Sequence, residues 1–291
     1  MNRPIRPLFG AAPRPELGPV LDSESIAYRA LVPPSDDECC WETYHDNSKT
    51  ERHDRPPPND LVRARMAALA PALAYEGYPT IALPPPPDLT MPIGAAIRAR
   101  VTGRDMASCA LDLDQVSALL FNAYGETRDN AETTFPRPFR TVPSGGALYP
   151  LDLYLHSARI AGAPPGLYYY DPTRHQLRLV RRGDQTHKLS GFFVQPELPL
   201  NSAAQLFITA FFERSTFKYR DRGYRFALLE AGHVAQNFNL AGTALGLAVT
   251  CVGGYFDRDV DDFLQIDGIT RSTIYAQVVG GRGIGADTTH W

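Results

Sequence analysis

A chain of 291 residues with 44% hydrophobic and 21% charged side chains has the composition of a globular protein with a sizeable core. Its net charge of −3 gives no general electrostatic attraction to nucleic acid or to an anionic membrane. No apolar run approaches the ~18–20 residues that span a bilayer, and the first residues lack the apolar core of a signal peptide. These features predict a cytoplasmic protein that binds neither nucleic acid nor membrane.

The N-terminal third divides into three stretches. Residues 1–34 are rich in Pro, Gly and Arg without any period, which predicts a tail over the surface or over a partner subunit. A small helical region is expected from about Ser35 to Tyr78, with Asn59 or Asp60 as a helix cap. The four prolines of Ala82–Asp88 predict a stiff connector. We therefore expect an N-terminal extension over residues 1–90, which could bind a partner or substrate, and a main domain over 91–291.

The four cysteines are not arranged as a metal site. Cys39 and Cys40 are adjacent and cannot easily bridge, while Cys109 and Cys251 are isolated, so free thiols and no metal are expected. Cys251 is interpreted as a buried strand residue.

Three arginines lie within Ile97–Met106, and their interpretation stays open between a solvated face and a phosphate clamp. Next, Asp112–Gln115 has the form of a capping box, and the apolar period after it predicts a helix that ends at Gly125.

The segment Arg140–Pro150 predicts a ligand-contacting turn. Two successive glycines follow Pro143 and Ser144, so the backbone can approach a flat or anionic ligand closely. Arg137 and Arg140 could bind a substrate peptide or anchor this loop. Leu151–Ser157 then alternates as a strand.

Further strands are predicted by periodicity. Gly166–Val180 reads as a hairpin that turns at Asp171-Pro172 and contains a half-buried tyrosine run. Gln205–Phe212 is apolar throughout, which predicts burial on both faces.

A polar segment, Phe217–Arg225, leads into a long helix. This helix is apolar nearly all round, which predicts a place at the centre of the molecule or at a subunit interface. On it, His233 is interpreted as a core or interface histidine and Asn237 as a structural hydrogen-bonding residue.

The C-terminal part supplies two more glycine pairs. A strand over Leu247–Val252 precedes the turn at Gly253-Gly254, and an acidic helix is expected around Asp259–Leu264. A strand over Thr273–Val279 leads into Gly280–Gly285, where Arg282 and the surrounding amides are suited to an anion.

Four blocks together give a specific resemblance. They are Arg100–Arg104, Pro143–Pro150, Lys218–Arg225 with the helix beyond it, and Gly253–Asp257. In order and spacing, the chain from about Ala96 to Arg282 resembles the nitroreductase-like flavoproteins, and within them the SagB/ThcOx-type azoline dehydrogenases. The resemblance implies an α+β fold, with a mixed, mostly antiparallel sheet flanked by helices, in an intertwined homodimer with FMN at its interface.

The resemblance also implies site residues. Arg100, Thr102, Arg104 and Arg282 match positions that hold the FMN phosphate, ribityl chain and ring edge, although Val101 replaces one arginine of the family motif. The remaining expected FMN contacts are glycine-rich: Pro143, Ser144, Gly145 and Gly146 at the ring, in one subunit or its neighbour, and Gly253 and Gly254 near the reactive nitrogen.

Lys218 and Tyr219 match the family's catalytic pair. Aromatising an azoline ring requires a base for the proton beside a carbonyl while hydride leaves for the flavin. Without the resemblance, Lys218 as a solvated loop residue and Tyr219 as a packing residue would be the simpler interpretation.

The leading hypothesis is an FMN-dependent enzyme that oxidises thiazoline or oxazoline to thiazole or oxazole on a peptide or carrier-bound substrate, beside a cyclodehydratase or synthetase complex. The alternatives are an NAD(P)H-dependent nitro or quinone reductase and a flavin-free scaffold subunit.

Overall fold

The computed structural model describes residues 40–69, 73, 75–107, 109–130, 132 and 137–283. The predicted tail over residues 1–34, Cys39, and residues 284 and 285 of the glycine-rich segment lie outside the described residues. The helices are α1 (Cys40–Asn47), α2 (Asn59–Ala68), α3 (Ile93–Ala99), α4 (Leu113–Tyr124), α5 (Thr186–Ser190), α6 (Glu197–Asn201), α7 (Glu213–Tyr219), α8 (Asp221–Ala244) and α9 (Asp257–Leu264). The strands are β1 (Thr80–Ala82), β2 (Met106–Ala107), β3 (Glu126–Arg128), β4 (Phe139–Arg140), β5 (Leu151–Ser157), β6 (Gly166–Asp171), β7 (Gln176–Arg182), β8 (Ala204–Phe211), β9 (Leu247–Val252) and β10 (Arg271–Arg282).

One large sheet organises the fold. Its strand order is β1-β7-β6-β5-β8-β10-β2, β9 pairs with β10 as well, and every one of these strand pairs is antiparallel. Strands β3 and β4 form a separate pair. With helices on both sides, the predicted α+β class and mostly antiparallel sheet are confirmed.

The central strands are buried on both faces because their side chains alternate between two apolar clusters. Leu206 and Ile208 of β8 pack on one face with residues of α4 and α8, whereas Phe207 packs on the other with residues of α9. Each such large side chain contributes about 1.5–3 kcal/mol through its burial. The prediction of two-sided burial for this strand is confirmed, and the tyrosine run of β6 is fully buried rather than half-buried.

Local signals fixed several element ends. Asp112 caps α4 through a complete capping box with Gln115, as predicted. At α2 the prediction of a cap is wrong, because the helix starts at Asn59 with Pro58 in the cap position and no side-chain cap bond. Strand β10 continues through Arg282, so the strand end expected at Val279 is also wrong.

The reason for the longer strand is that Gly280 and Gly281 pair with β9, while Gly281 and Arg282 pair with β2. A Cβ added at Gly281 would lie 2.8 Å from the Cys109 sulfur. These glycines therefore let the chain segment around β2 lie against the strand.

The proline-rich stretch lies against the main sheet. Strand β1 pairs with β7, Leu83 is buried in the main core, and the Pro84 carbonyl accepts a hydrogen bond from Ser117 at 2.7 Å. A domain boundary near residue 90 stays a prediction.

Cys251 lies in β9 as predicted but is half-buried rather than buried, while Cys40 and Cys109 are exposed free thiols. Among the helices of the described residues, none is both long enough and apolar enough to cross a membrane.

Candidate functional site

The glycine loop before β5 has an unusual backbone. Ser144 is extended, Gly145–Ala147 form one turn of 3-10 helix, and Gly146 has φ +66°. Ala147 and Tyr149 also have positive φ, at +52° and +47°. Non-glycine residues adopt this region rarely, at a cost of order 1–3 kcal/mol, and such residues cluster at functional sites. The Ser144 Oγ accepts a hydrogen bond from the Tyr149 amide at 3.0 Å, which closes the turn.

Arg137 and Arg140 hold this loop in place. The buried Arg137 guanidinium donates to the carbonyl oxygens of Leu148, Met66 and Leu69 at 2.8, 2.7 and 2.7 Å. Arg140, also buried, lies over the rings of Tyr124 and Tyr149. The sequence left two roles open for these arginines, substrate binding and loop anchoring. Both arginines make the contacts of loop anchors.

Lys218 and Tyr219 form the last turn of α7 instead of a loop. The helix ends because Arg220 adopts φ +52° and ψ −137°, after which α8 begins at once. Gly223 makes this sharp junction possible, because a Cβ at that position would lie 2.8 Å from the backbone of Ser215 and Thr216. The predicted polar segment is thus a helix-to-helix junction.

The glycine loop and the Lys-Tyr pair are in direct contact. A Cβ added at Gly146 would lie 2.5 Å from Tyr219 Oη and 3.0 Å from Lys218 Nζ. Lys218 Nζ lies 5.1 Å from the centroid of the Tyr219 ring. Two motifs separated by seventy-odd residues therefore meet at one point, and only a residue without a side chain fits there.

A cleft of about 720 Å³ opens beside this contact. Three of the four loop residues predicted to meet a flavin ring line it, together with Lys218; Gly145 does not, since its α-carbon faces Phe226. The full lining is Arg128, Asn130, Phe139, Arg140, Thr141, Val142, Pro143, Ser144, Gly146, Ala147, Tyr149 and Lys218.

Part of the N-terminal region covers the site, which the sequence did not reveal. Val62 and Met66 of α2 form a small apolar cluster with Leu148, against which Phe217 and Tyr219 pack. The helical period of α2 indicated an apolar face, but nothing in its sequence indicated what that face covers.

Helix α1 reaches the neighbouring junction. The Tyr44 hydroxyl donates to the Asp221 carbonyl, and Arg225 donates to the His45 carbonyl at 2.6 Å. Arg220 lies 3.8 Å from Asp54. Residues of the N-terminal region thus engage two of the arginines that follow Lys218 and Tyr219 in the chain.

The second group of predicted residues lies along β9 and the end of β10. Gly103 donates from its amide to the Val249 carbonyl at 3.1 Å, and Thr102 forms a parallel bridge with the same residue. Arg282 faces Met106 across β10 and β2. The structure therefore brings Arg282 to the segment that contains Arg100, Thr102 and Arg104.

Gly253 and Gly254 follow β9. The Gly254 carbonyl accepts a hydrogen bond from the Val194 amide at 2.9 Å, whereas a Cβ at Gly253 would meet no atom within 4 Å. Gly253 is four residues beyond Val249, which corresponds to about 13 Å of strand.

The two groups lie far apart within one chain. Along α8, Phe226 contacts the glycine loop and Gly242 contacts Val249, so sixteen residues, or about 24 Å of helix, separate them. The sheet gives a similar result. Through their shared pairing with β8, Leu151 after the loop lies in line with Ser272 of β10. Ser272 is ten residues, or about 30 Å of strand, from Arg282.

Sequence reasoning missed a buried acid beside the loop. Glu230 of α8 is 2% exposed and accepts a hydrogen bond from the Tyr124 hydroxyl at 2.7 Å. Burial raises the pKa of Glu230 to about 7, against the opposing effect of the Ser144 and Tyr124 hydroxyl groups. The sequence signal that could have identified Glu230 was an acidic residue in a helix predicted to be apolar nearly all round.

Two other residues of α8 differ in outcome. His233 is exposed in this chain, so it is not a core histidine, and an interface role stays a prediction. Asn237 donates to the Asn122 carbonyl at 3.1 Å and so has the predicted structural bond. Within the described residues, no three His, Cys, Asp or Glu side chains gather as a metal site.

Comparison with known proteins identifies the family. The sequence profile of the nitroreductase family matches residues 97–281, which include all candidate residues of both groups except Arg282. The chain belongs to the nitroreductase family. The broad resemblance drawn from the four sequence blocks is thereby confirmed.

The relatives within and around this family are of two kinds. The nitroreductase homologue MJ1384 of Methanocaldococcus jannaschii is 37% identical over 163 residues, which cover 56% of this chain and 79% of that protein. The trifolitoxin-processing protein TfxB of Rhizobium leguminosarum bv. trifolii is 32% identical over 58% of this chain and 47% of its own length. The microcin B17-processing protein McbC of Escherichia coli is 30% identical over 58% of this chain and 62% of its own.

A solved structure shares the nitroreductase fold. A chain of the Escherichia coli microcin synthetase McbBCD complex with truncated pro-MccB17 bound is 22% identical, with a TM-score of 0.55 over 84% of this chain and 92% of that one. At this identity the likeness shows the fold alone.

Proposed function

We propose that this member of the nitroreductase family is an FMN-dependent dehydrogenase that oxidises thiazoline or oxazoline rings to thiazole or oxazole on a peptide or carrier-bound substrate. The contact of Gly146 with Tyr219 Oη and Lys218 Nζ carries the proposal. It puts two groups capable of proton transfer at the edge of the cleft that the glycine loop lines. The similarity to the TfxB and McbC processing proteins supports a peptide substrate.

The residues along β9 have the donor chemistry that FMN requires. Guanidinium groups of Arg100, Arg104 and Arg282 suit a phosphate, and the Thr102 hydroxyl suits the ribityl chain. Gly253 would lie near the ring, since no atom lies within 4 Å of its absent Cβ. The ~13 Å from Val249 to Gly253 is a distance that one extended FMN can span.

The site is proposed to form between two copies of the chain. The ~24 Å along α8 between the glycine loop and the arginine segment exceeds the length of FMN, so one chain cannot supply both ends of one site. A second copy would bring its Pro143–Gly146 to the ring. The exposed apolar residues Ile93 and Ile97 of α3 and Leu229 of α8 support a buried partner surface there.

In the proposed reaction, a proton leaves the ring carbon beside the carbonyl and a hydride leaves the adjacent ring carbon, which aromatises the azoline. FMN, when bound, supplies the hydride acceptor and passes the two electrons to oxygen. Either Tyr219 Oη or Lys218 Nζ takes the proton. The other member of the pair holds the substrate, or the group that takes the proton, in place. Gly146 keeps the space between loop and pair open for this contact.

The proposed partners follow from the substrate. An azoline on a peptide or carrier must be made by cyclodehydration of a cysteine or serine residue, so a cyclodehydratase or synthetase complex would supply it. The microcin synthetase structure that shares the fold contains such a peptide-bound assembly for its own proteins.

The test supplies azoline peptides to the FMN-loaded protein and follows substrate mass. We expect loss of two hydrogens per ring, and at least about a hundredfold slower conversion by Lys218→Ala and Tyr219→Phe, which lose the base or its partner. Lys188→Ala, at an exposed lysine on α5, is the matched control. Rapid NADPH oxidation without peptide, unchanged in Lys218→Ala, would instead identify a nitro or quinone reductase.

A further inference from the structure

The buried carboxyl of Glu230 is built into the support of the glycine loop. Its Oε1 accepts a hydrogen bond from the Tyr124 hydroxyl, which itself accepts one from the Leu151 amide at 3.2 Å. Its Oε2 accepts no hydrogen bond within the described part of the chain. A buried carboxylate oxygen without a donor is costly, so this position favours a protonated acid or a bond that changes with the state of the site.

Ser144 links this carboxyl to the cleft. The Ser144 hydroxyl is close enough to the Glu230 carboxyl to lower the pKa of that acid, and Ser144 also lines the cleft beside Gly146. A serine hydroxyl has one hydrogen to donate, and the Tyr149 amide already occupies one of its acceptor positions. The direction of that single hydrogen therefore depends on Glu230.

The two protonation states of Glu230 give opposite results. An ionised carboxylate only accepts, so it draws the Ser144 hydrogen toward itself and leaves the cleft an acceptor. A protonated carboxyl can donate to Ser144 Oγ, which frees the Ser144 hydrogen to point into the cleft. Flavin rings carry carbonyl oxygens and ring nitrogens that accept such a bond.

The surroundings allow both states near neutrality. The ionisable groups that face Glu230 are Tyr124 on α4, Tyr149 in the loop, Arg140 on β4 and Arg214 on α7. Burial raises the pKa of Glu230 to about 7, while the hydroxyl groups and the two arginines oppose that rise.

We propose that Glu230 is a positioning residue whose bound proton makes Ser144 a hydrogen-bond donor to the flavin ring. This inference rests on the proposed function for the identity of the ligand. Glu230 itself lies behind the loop and does not line the cleft.

The experiment measures the FMN dissociation constant from about pH 6 to about pH 8 by flavin fluorescence, for the wild type and Glu230→Gln. A glutamine amide always donates, so the variant imitates the protonated acid. We expect FMN affinity of the wild type to fall more steeply with rising pH than that of the variant, by about two- to tenfold over the range, as one hydrogen bond allows. The FMN phosphate titrates in the same range, but equally in both proteins.

Three further variants complete the experiment. Glu197→Gln, at an exposed carboxylate on α6, should keep the wild-type pH dependence. Ser144→Ala should remove the Glu230-dependent part, so that adding Glu230→Gln changes nothing more. If Glu230→Gln fails to fold, Tyr124→Phe replaces it, and the loss of a bond that lowers the pKa of Glu230 should move the transition to higher pH.

A pH dependence that is equal in the wild type and Glu230→Gln would overturn the inference, and so would an effect of Glu230→Gln that persists when Ser144→Ala is also present. A wild-type protein that binds no FMN at any pH would instead overturn the proposed function, so the two failures are distinct.

Discussion

Asp152 and Arg214 form a buried ion pair that joins the strand after the glycine loop to the helix that ends in Lys218 and Tyr219. Arg214 Nη1 lies 2.9 Å from Asp152 Oδ2, and the two side chains are 1% and 3% exposed. Asp152 is two residues after Pro150, and Arg214 is one helical turn before Lys218. One contact therefore fixes the relative position of the two motifs that meet at Gly146.

Removing one member of this pair should destabilise the protein strongly. Asp152→Asn leaves a buried guanidinium without its counter-charge, and we expect the free energy of unfolding to fall by about 3–5 kcal/mol. Glu213→Gln is the control, because it removes the exposed ion pair with Arg65 and should cost no more than about 1 kcal/mol. Denaturant unfolding measures both, and equal losses would contradict the structural role given to Asp152.

Gly146→Ala should abolish turnover for a steric reason. Gly146 has φ +66° and its added methyl group would overlap Tyr219 Oη, whereas Gly77 has φ +81° with no atom within 4 Å. Both alanine variants should lose about 1–2 kcal/mol of stability from the left-handed backbone. Only Gly146→Ala should also lose azoline oxidation, and an active Gly146→Ala protein would refute the contact as a functional one.

The two-copy site predicts complementation between inactive variants. Gly146→Ala damages the loop and Arg282→Ala damages the proposed phosphate contact, at positions about 30 Å apart in one chain. A purified heterodimer with one copy of each would contain one undamaged site, and we expect roughly half of the wild-type activity. Differently tagged, co-expressed chains allow the measurement. Heterodimers as inactive as each parent would argue for a site within one chain.

Glu230 should make the folded state less stable as pH rises from about 4.5 to about 7. Burial raises the pKa of the folded carboxyl above its unfolded value, so unfolding releases a proton in this window and higher pH favours unfolding. The loss is on the order of 3 kcal/mol by pH 7. In Glu230→Gln this loss should be absent, and unfolding curves at several pH values measure the difference between the two proteins. Parallel pH profiles would show that the carboxyl is not protonated in the folded state.

Much of the local structure follows from the sequence. The strand over Leu151–Ser157 and the capping box at Asp112 were predictable because alternation and cap chemistry are local properties. The candidate motifs could be found for the same reason, since each is a short run of chemically distinct residues.

Only the packing of the folded chain decided which distant residues a given side chain contacts. Arg137 could be interpreted as a substrate or an anchor residue until its guanidinium was seen to bind three backbone carbonyls, two of them from residues about seventy positions away. The cover that α2 forms over Tyr219 belongs to the same class, because an apolar helix face does not specify its partner.

The sequence by itself determined which residues are candidates for the chemistry: the arginines with Thr102, the glycine turns, and Lys218 with Tyr219. Only the tertiary structure decided that the loop meets the Lys-Tyr pair at Gly146 while the arginine segment lies at the far end of α8. Such distances depend on strand order and register, and on which side chains are buried. These are properties of the whole packed chain rather than of any segment.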